Sequence, residues 1–178
     1  MTGTSEFEHM LTGGHPNSLG RTVEVVDLVL ADEARLADLY ACYGSSDAVV
    51  RLRVSSALKR VAAERPQWLV PYLDRLLTEV ADLDQASAQW TLALLLDRLR
   101  DRMSAHQHRR AVAVLQRNLA HHDDWIVQNT TIDVLTRWAE PDADLRRWLL
   151  PHLERLSGSR RKSVANRAAK ALQRLGTE

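Results

Sequence analysis

The 178-residue sequence has little that breaks helices or cross-links chains. It contains seven glycines, five prolines and one phenylalanine, which suits a helical fold and disfavours an all-β one. Its one cysteine, Cys42, excludes an internal disulfide framework, and the apolar neighbours of that residue predict a buried thiol. No apolar run approaches the roughly 20 residues of a membrane-spanning helix, so we expect no membrane partner.

Patterns for targeting, catalysis and metal binding are missing as well. The first residues show no basic region followed by an apolar stretch, which predicts a cytoplasmic protein. The seven histidines lack cysteine partners and the spacing of metal-binding motifs. No phosphate-binding loop and no nucleophile motif occurs. We therefore expect a protein that is not an enzyme and has no catalytic residue, metal or cofactor.

One spacing pattern, which we call the register, occurs four times and has its members at positions i, i+4, i+7, i+8 and i+11. The copies begin at Val50, Ala88, Val127 and Val164, which are 38, 39 and 37 residues apart. A period near 40 residues with this spacing is typical of stacked helix pairs in an α-solenoid. The predicted helices span about 18–30, 32–43, 47–64, 66–80, 85–101, 104–120, 124–139, 142–157 and 160–175.

The domain organisation follows from the same pattern. Residues 1–17 contain Gly13-Gly14 and Pro16 without a helical period, and they predict a flexible N-terminal arm. Residues 18–178 predict a single repeat domain. Pro71 and Pro151 fall near the middle of their predicted helices and should bend them.

The register carries a family resemblance. Asp47-Ala48-Val49-Val50-Arg51, followed by Ala57-Leu58, resembles the second helix of a HEAT repeat. The third copy is similar with Gln128 in place of the arginine, and the second has Gln89 there. The resemblance covers about residues 32–175. The preceding segment, with Leu11-Thr12-Gly13-Gly14, Ser18-Leu19-Gly20, Val25-Val26 and Val29-Leu30, is also similar to small bacterial HEAT-repeat proteins of unassigned function. The resemblance implies an all-α, right-handed superhelix of about four helix pairs, with an N-terminal capping helix.

Charge is unevenly distributed along the chain. The first 50 residues hold two basic and eight acidic residues, and the remainder holds 22 basic and 15 acidic ones. An arginine stands ten residues into each register copy, and further cations share its flank. We predict a basic strip on the concave surface formed by Arg53, Arg60, Arg98, Arg137, Arg167, Lys170 and Arg174. Alternatively, these arginines stabilise helix ends and cover apolar neighbours. A second basic cluster comprises Arg160, Arg161 and Lys162.

These features predict an interaction module that binds a protein or peptide, preferably an acidic one, on its concave face. A nucleic-acid-binding solenoid that uses the same cations is the first alternative. The second is a base-excision enzyme that resembles DNA alkylation-repair glycosylases, with Trp125, Asp133 and Arg137, or Trp90 and Asp97, as candidate residues. The oligomeric state stays open, including association of the acidic N-terminal half with the basic C-terminal half of another copy.

Overall fold

A computed structural model describes residues 5–176, and all regular structure in this range is helical. The all-α prediction is therefore confirmed. The chain divides between Met103 and Ser104 into two compact units, whereas the sequence predicts one domain over residues 18–178. Across the same range, no helix combines the length and the apolar content that a membrane crossing requires.

The first unit is built around one long central helix. Its α-helices are α1 (Glu6–Leu11), α2 (Thr22–Ala31), α3 (Leu36–Ala41), α4 (Ala48–Glu64), α5 (Leu73–Arg75) and α6 (Ala86–Leu99). Short 3-10 segments follow or precede them at Glu33–Arg35, Cys42–Gly44, Pro66–Tyr72 and Arg100–Arg102. Helix α4 packs against α1, α2, α3 and α6. Pro71 lies inside the 3-10 segment Pro66–Tyr72.

The sequence predicts a flexible arm over residues 1–17, and from residue 5 onward the structure shows a helix, α1, in this segment. Helix α1 buries Phe7, Met10 and Leu11, whose i, i+3, i+4 spacing forms one apolar face. The hydroxyl of Ser5 caps this helix by accepting a hydrogen bond from the N–H of Glu8. Residues 1–4 lie outside the described range.

The second unit contains four helices: α7 (Ala105–His121), α8 (Trp125–Ala139), α9 (Ala143–Ser157) and α10 (Lys162–Leu175). Side-chain caps begin the first three of them. Ser104 and Gln107 form a capping box on α7, and Asp124 and Asp142 cap α8 and α9. Helix α9 continues through Pro151. The predicted bounds of these helices agree with the structure to within a few residues.

The apolar register forms the core of both units. All of its positions are buried except Leu172, which is half-buried. The four copies occupy α4, α6, α8 and α10. Within the first unit α4 packs on α6, and within the second α8 packs on α10. The repeat in the sequence therefore predicts both the helices and the face that each helix buries.

In the first three register copies, the residue after the register start donates hydrogen bonds to the loop that precedes its helix. Arg51 donates a hydrogen bond to the carbonyl of Ser45 at 2.6 Å, and Gln128 donates one to the carbonyl of His122 at 2.9 Å. Gln89 is buried, and its amide donates to the carbonyls of Val80, Ala81 and Leu83. Glutamine thus performs the same task as arginine at this position.

Candidate functional site

The arginine that stands ten residues after each register start lines a groove within its own unit. Arg60 lies in a groove between α2 and α4, and Arg98 lies in one between α4 and α6. Arg137 and Arg174 both line a groove between α8 and α10. Arg60, Arg98 and Arg174 are exposed, and Arg137 is half-buried. These four residues are therefore accessible side chains beside clefts.

Arg53 does not belong to a surface strip, and its assignment there is wrong. Its side chain is completely buried, and its guanidinium donates hydrogen bonds to four backbone carbonyls. The acceptors are Leu11 and Gly13, at 2.7 and 2.6 Å, and His15 and Ser18, both at 3.2 Å. The physical reason is the loop between α1 and α2, whose carbonyl groups need donors that no regular structure supplies.

The groove between α8 and α10 gathers the largest number of predicted site residues. Its volume is about 370 Å³. One wall carries Asp133, Thr136 and Arg137 from α8, and the other carries Arg167, Lys170 and Arg174 from α10. All three α10 cations are exposed. The sequence therefore predicted four of these six residues as members of a basic site.

Two ion pairs connect the walls of this groove. Arg167 donates to the carboxylate of Asp133, and Arg174 donates to that of Glu140. The partners of each pair are 34 residues apart, and the second pair lies seven residues further along both helices. Contacts that advance together along two helices show that α8 and α10 run parallel. Because the four side chains are roughly half-exposed, each pair contributes only about 0–1 kcal/mol to stability.

Lys170 stands between the two paired arginines of α10, one helical turn from each. In the part of the chain that the structure describes, no carboxylate lies within ion-pairing distance of its ammonium group. Arg137 holds the corresponding place on α8, four residues after Asp133. Four cations and one acid, Asp133, thus line the groove, with cationic charge in excess even when Glu140, the partner of Arg174, is counted.

The helix dipole explains part of the placement of the groove cations. Arg137 and Arg174 stand in the last turns of α8 and α10, where the helix dipole favours positive charge. Stabilisation of helix ends therefore accounts for part of their placement. It does not account for Lys170, which lies before the last turn and faces the same groove.

The groove between α4 and α6 is a smaller counterpart in the first unit. Its volume is about 300 Å³, and it is lined by Lys59, Leu94, Leu95, Asp97 and Arg98. The ammonium of Lys59 lies 4.8 Å from the centre of the Trp90 ring, in a cation–π contact. Burial lowers the pKa of Lys59, and the neighbouring charge of Arg60 lowers it further. The sequence pattern gave no signal for this lysine.

The basic cluster of Arg160, Arg161 and Lys162 is separate from the groove cations. All three residues are exposed at the N-terminus of α10. None of the three lines the groove, although Lys162 is only five residues, or about 7.5 Å along the helix axis, from Arg167.

The geometry offers no support for a base-excision site. Trp125 and Asp133 are eight residues apart on α8, or about 12 Å along the axis. Asp133 is paired with Arg167 and lines the groove, and Trp125 does not. Trp90 is engaged with Lys59. Among residues 5–176, no group of three or more His, Cys, Asp or Glu side chains is arranged to hold a metal ion.

No known protein-family model, curated protein or solved structure matches this chain.

Proposed function

We propose that this chain is a HEAT-like repeat protein that acts as a non-enzymatic binding module. In this proposal its helix pairs form a right-handed superhelix of about four repeats, and its partner is an acidic segment of another protein. The fourfold buried register supports the repeat assignment, as does the shared role of Arg51, Gln89 and Gln128. The binding site in this proposal is the groove between α8 and α10.

Lys170 and its two arginine neighbours are the observation that carries this proposal. An acidic side chain in the groove reaches the ammonium of Lys170 directly, and the guanidinium groups of Arg167 and Arg174 flank that position. Because guanidinium groups bind carboxylates in a bidentate manner, the two arginines are suited to carboxylate recognition. Their present pairs with Asp133 and Glu140 are exposed, so exchanging them for a ligand carboxylate costs little.

The composition of the groove favours a peptide over a nucleic acid. Asp133 and Glu140 repel a continuous phosphodiester backbone, whereas a peptide can place its own cations opposite them. The groove is lined by threonine, serine, asparagine and alanine between the charges, without an aromatic ring on which a base can stack.

Nucleic-acid binding is the second candidate, and the cluster of Arg160, Arg161 and Lys162 favours it. These three exposed cations stand at a helix N-terminus, where the dipole opposes positive charge. A phosphate backbone is a ligand that such a cluster attracts, with an affinity that falls steeply as salt rises.

Fluorescence anisotropy with the full chain distinguishes the two candidates. The probes are a labelled poly-glutamate peptide and labelled single-stranded DNA, duplex DNA and RNA of matched length. We expect the peptide to bind and the double variant R137A/K170A to lose most of that binding. The matched control R109A/R155A removes two exposed arginines elsewhere in the same unit and should bind as the unchanged protein does.

Two outcomes would overturn the peptide proposal. One is equal loss of peptide binding in R137A/K170A and in R109A/R155A, which would indicate general charge attraction. The other is tight, salt-sensitive binding of a nucleic acid that R160A/R161A/K162A abolishes, with no binding of the peptide. The second outcome would establish the alternative function instead.

A further inference from the structure

Exposed large apolar side chains occur as two neighbouring pairs within residues 5–176. Leu19 and Val23, at the start of α2, are 43% and 50% exposed. Trp125 and Ile126, the first residues of α8, are 40% and 37% exposed. A single exposed apolar residue is ordinary, but adjacent ones beside a groove mark a surface for interaction. The first pair belongs to one compact unit, and the second pair belongs to the other.

Val23 of the first pair lines an apolar groove. Val23, Val26 and Leu30 of α2 form its floor together with Ala63, and its volume is about 370 Å³. The end of α4 and the residue after it supply a charged rim. That rim consists of two arginines and one acid, namely Arg60, Glu64 and Arg65, all of them exposed. The groove therefore fits an apolar side chain that is accompanied by negative charge.

Trp125 and Ile126 are apolar side chains accompanied by negative charge, and hydrogen bonds hold them in a fixed conformation. Asp123 and Asp124 immediately precede Trp125 and Ile126. The carboxylate of Asp124 accepts hydrogen bonds from the N–H groups of Ile126 and Val127, at 2.8 and 3.1 Å. The amide of Gln128 holds the same loop through the carbonyl of His122. Because the projection is already ordered, it loses little conformational entropy on binding.

We propose that the 123–126 projection of one copy of this chain docks into the α2–α4 groove of a second copy. Trp125 and Ile126 cover Val23 and the apolar floor of the groove. Asp123 and Asp124 lie against Arg60 and Arg65, which gives the contact electrostatic complementarity. This contact uses neither wall of the α8–α10 groove, so it is independent of the proposed peptide binding.

The two surfaces of this contact differ, and this determines the type of assembly. A contact between unlike surfaces leaves a free groove on one copy and a free projection on the other. Further copies can therefore add, and the product is a ring or an open chain of subunits. Because one projection and one groove form a small interface, the association is weak and depends on concentration.

Sedimentation velocity of the full chain over a wide range of concentrations tests this contact. We expect the mean mass to rise with concentration beyond that of a dimer. The variants Val23→Asp and Trp125→Asp should each be monomeric alone, because one lacks the groove and the other lacks the projection. Mixed together, they should form a dimer and nothing larger, since one intact groove and one intact projection remain.

The control is Ala113→Asp, which adds the same charge at an exposed position of α7 and should leave assembly unchanged. Thermal unfolding of each variant verifies that it is folded, as expected for changes at exposed positions. Asp123→Arg should weaken assembly, and Arg65→Asp in the same chain should restore part of it.

Three results would overturn the proposal. They are an unchanged protein that is monomeric at every concentration, a Val23→Asp variant that still assembles, and a mixture of the two variants that stays monomeric.

Discussion

The guanidinium of Arg53 occupies the space beside Gly20, and a Cβ atom on that glycine would stand 2.9 Å from the Cζ atom of Arg53. Gly20 also has a φ of 51°, in the left-handed region that side chains disfavour. The glycine is thus required both by the backbone and by the arginine. Together the two residues fix the loop that joins α1 to α2.

Gly20→Ala should destabilise the protein by more than the backbone strain alone, which is about 1–2 kcal/mol. The added methyl group must displace a buried guanidinium that makes four hydrogen bonds. Urea unfolding measures the loss. The matched control is Gly13→Ala, where φ is 78° but nothing lies within 4 Å of the new Cβ atom. Equal losses in the two variants would contradict a close contact at Gly20.

Arg53→Met should lower the free energy of unfolding by at least about 3 kcal/mol, because it removes the four hydrogen bonds that a fully buried guanidinium donates to the loop between α1 and α2. Arg167 occupies the same register position in α10, but it is exposed and forms an ion pair with Asp133. Arg167→Met should therefore cost about 1 kcal/mol or less. A comparison of the two variants by chemical denaturation tests this difference, and similar losses would argue against it.

The contrast between Arg53 and Arg167 shows which structural features the sequence pattern predicts and which it does not. The period of the register predicts the helices and their buried faces, because burial repeats with the helical turn. It assigns Arg53 and Arg167 to one strip, because they share one position on the helix. Their environments differ because Arg53 meets a loop 35 to 42 residues earlier in the chain. Periodicity within a helix contains no information about such a neighbour.

The groove between α8 and α10 could be predicted only in part, because periodicity within a helix contains no information about neighbouring helices. The arginines at the tenth register position were expected on the surface, and they line grooves there. Their partners were not predictable from local spacing. Asp133 stands four residues before Arg137, which suggests a pair within α8, but it binds Arg167 on α10. That pairing depends on the parallel packing of two helices, which the spacing within one helix does not specify.

The protein should become less stable as the pH falls below 6.5, and His152 is the residue responsible. This ring stacks on Trp148, with 4.1 Å between ring centres. Partial burial lowers the pKa of His152, and the charges of Arg155 and His121 lower it further. The folded state then binds fewer protons than the unfolded one in this range, so stability rises with pH. Thermal unfolding at a series of pH values should show a flatter slope for His152→Gln, and an unchanged slope would contradict the assignment.

Gln89→Leu should destabilise the protein by about 1–3 kcal/mol, because the carbonyls of Val80, Ala81 and Leu83, at the end of and after the π-helical segment Leu76–Val80, each lose a side-chain donor. Gln128→Leu removes one such hydrogen bond and should cost less. Gln89→Arg should cost less than Gln89→Leu, since arginine performs this task at position 51. Chemical denaturation of the three variants measures the order, and a larger loss for Gln128→Leu would refute it.

Removal of the acids in the α8–α10 groove should strengthen the binding of an acidic peptide. Asp133→Ala/Glu140→Ala removes the two carboxylates that pair with Arg167 and Arg174. Each exposed pair contributes at most about 1 kcal/mol, so the loss of both pairs should raise affinity by up to about thirtyfold. Anisotropy titration with the labelled poly-glutamate peptide measures the change. The control Asp144→Ala removes a carboxylate that pairs with Arg147 on α9, outside the groove. If the control strengthens binding as much as the double variant does, the gain comes from net charge, and the peptide does not occupy the groove.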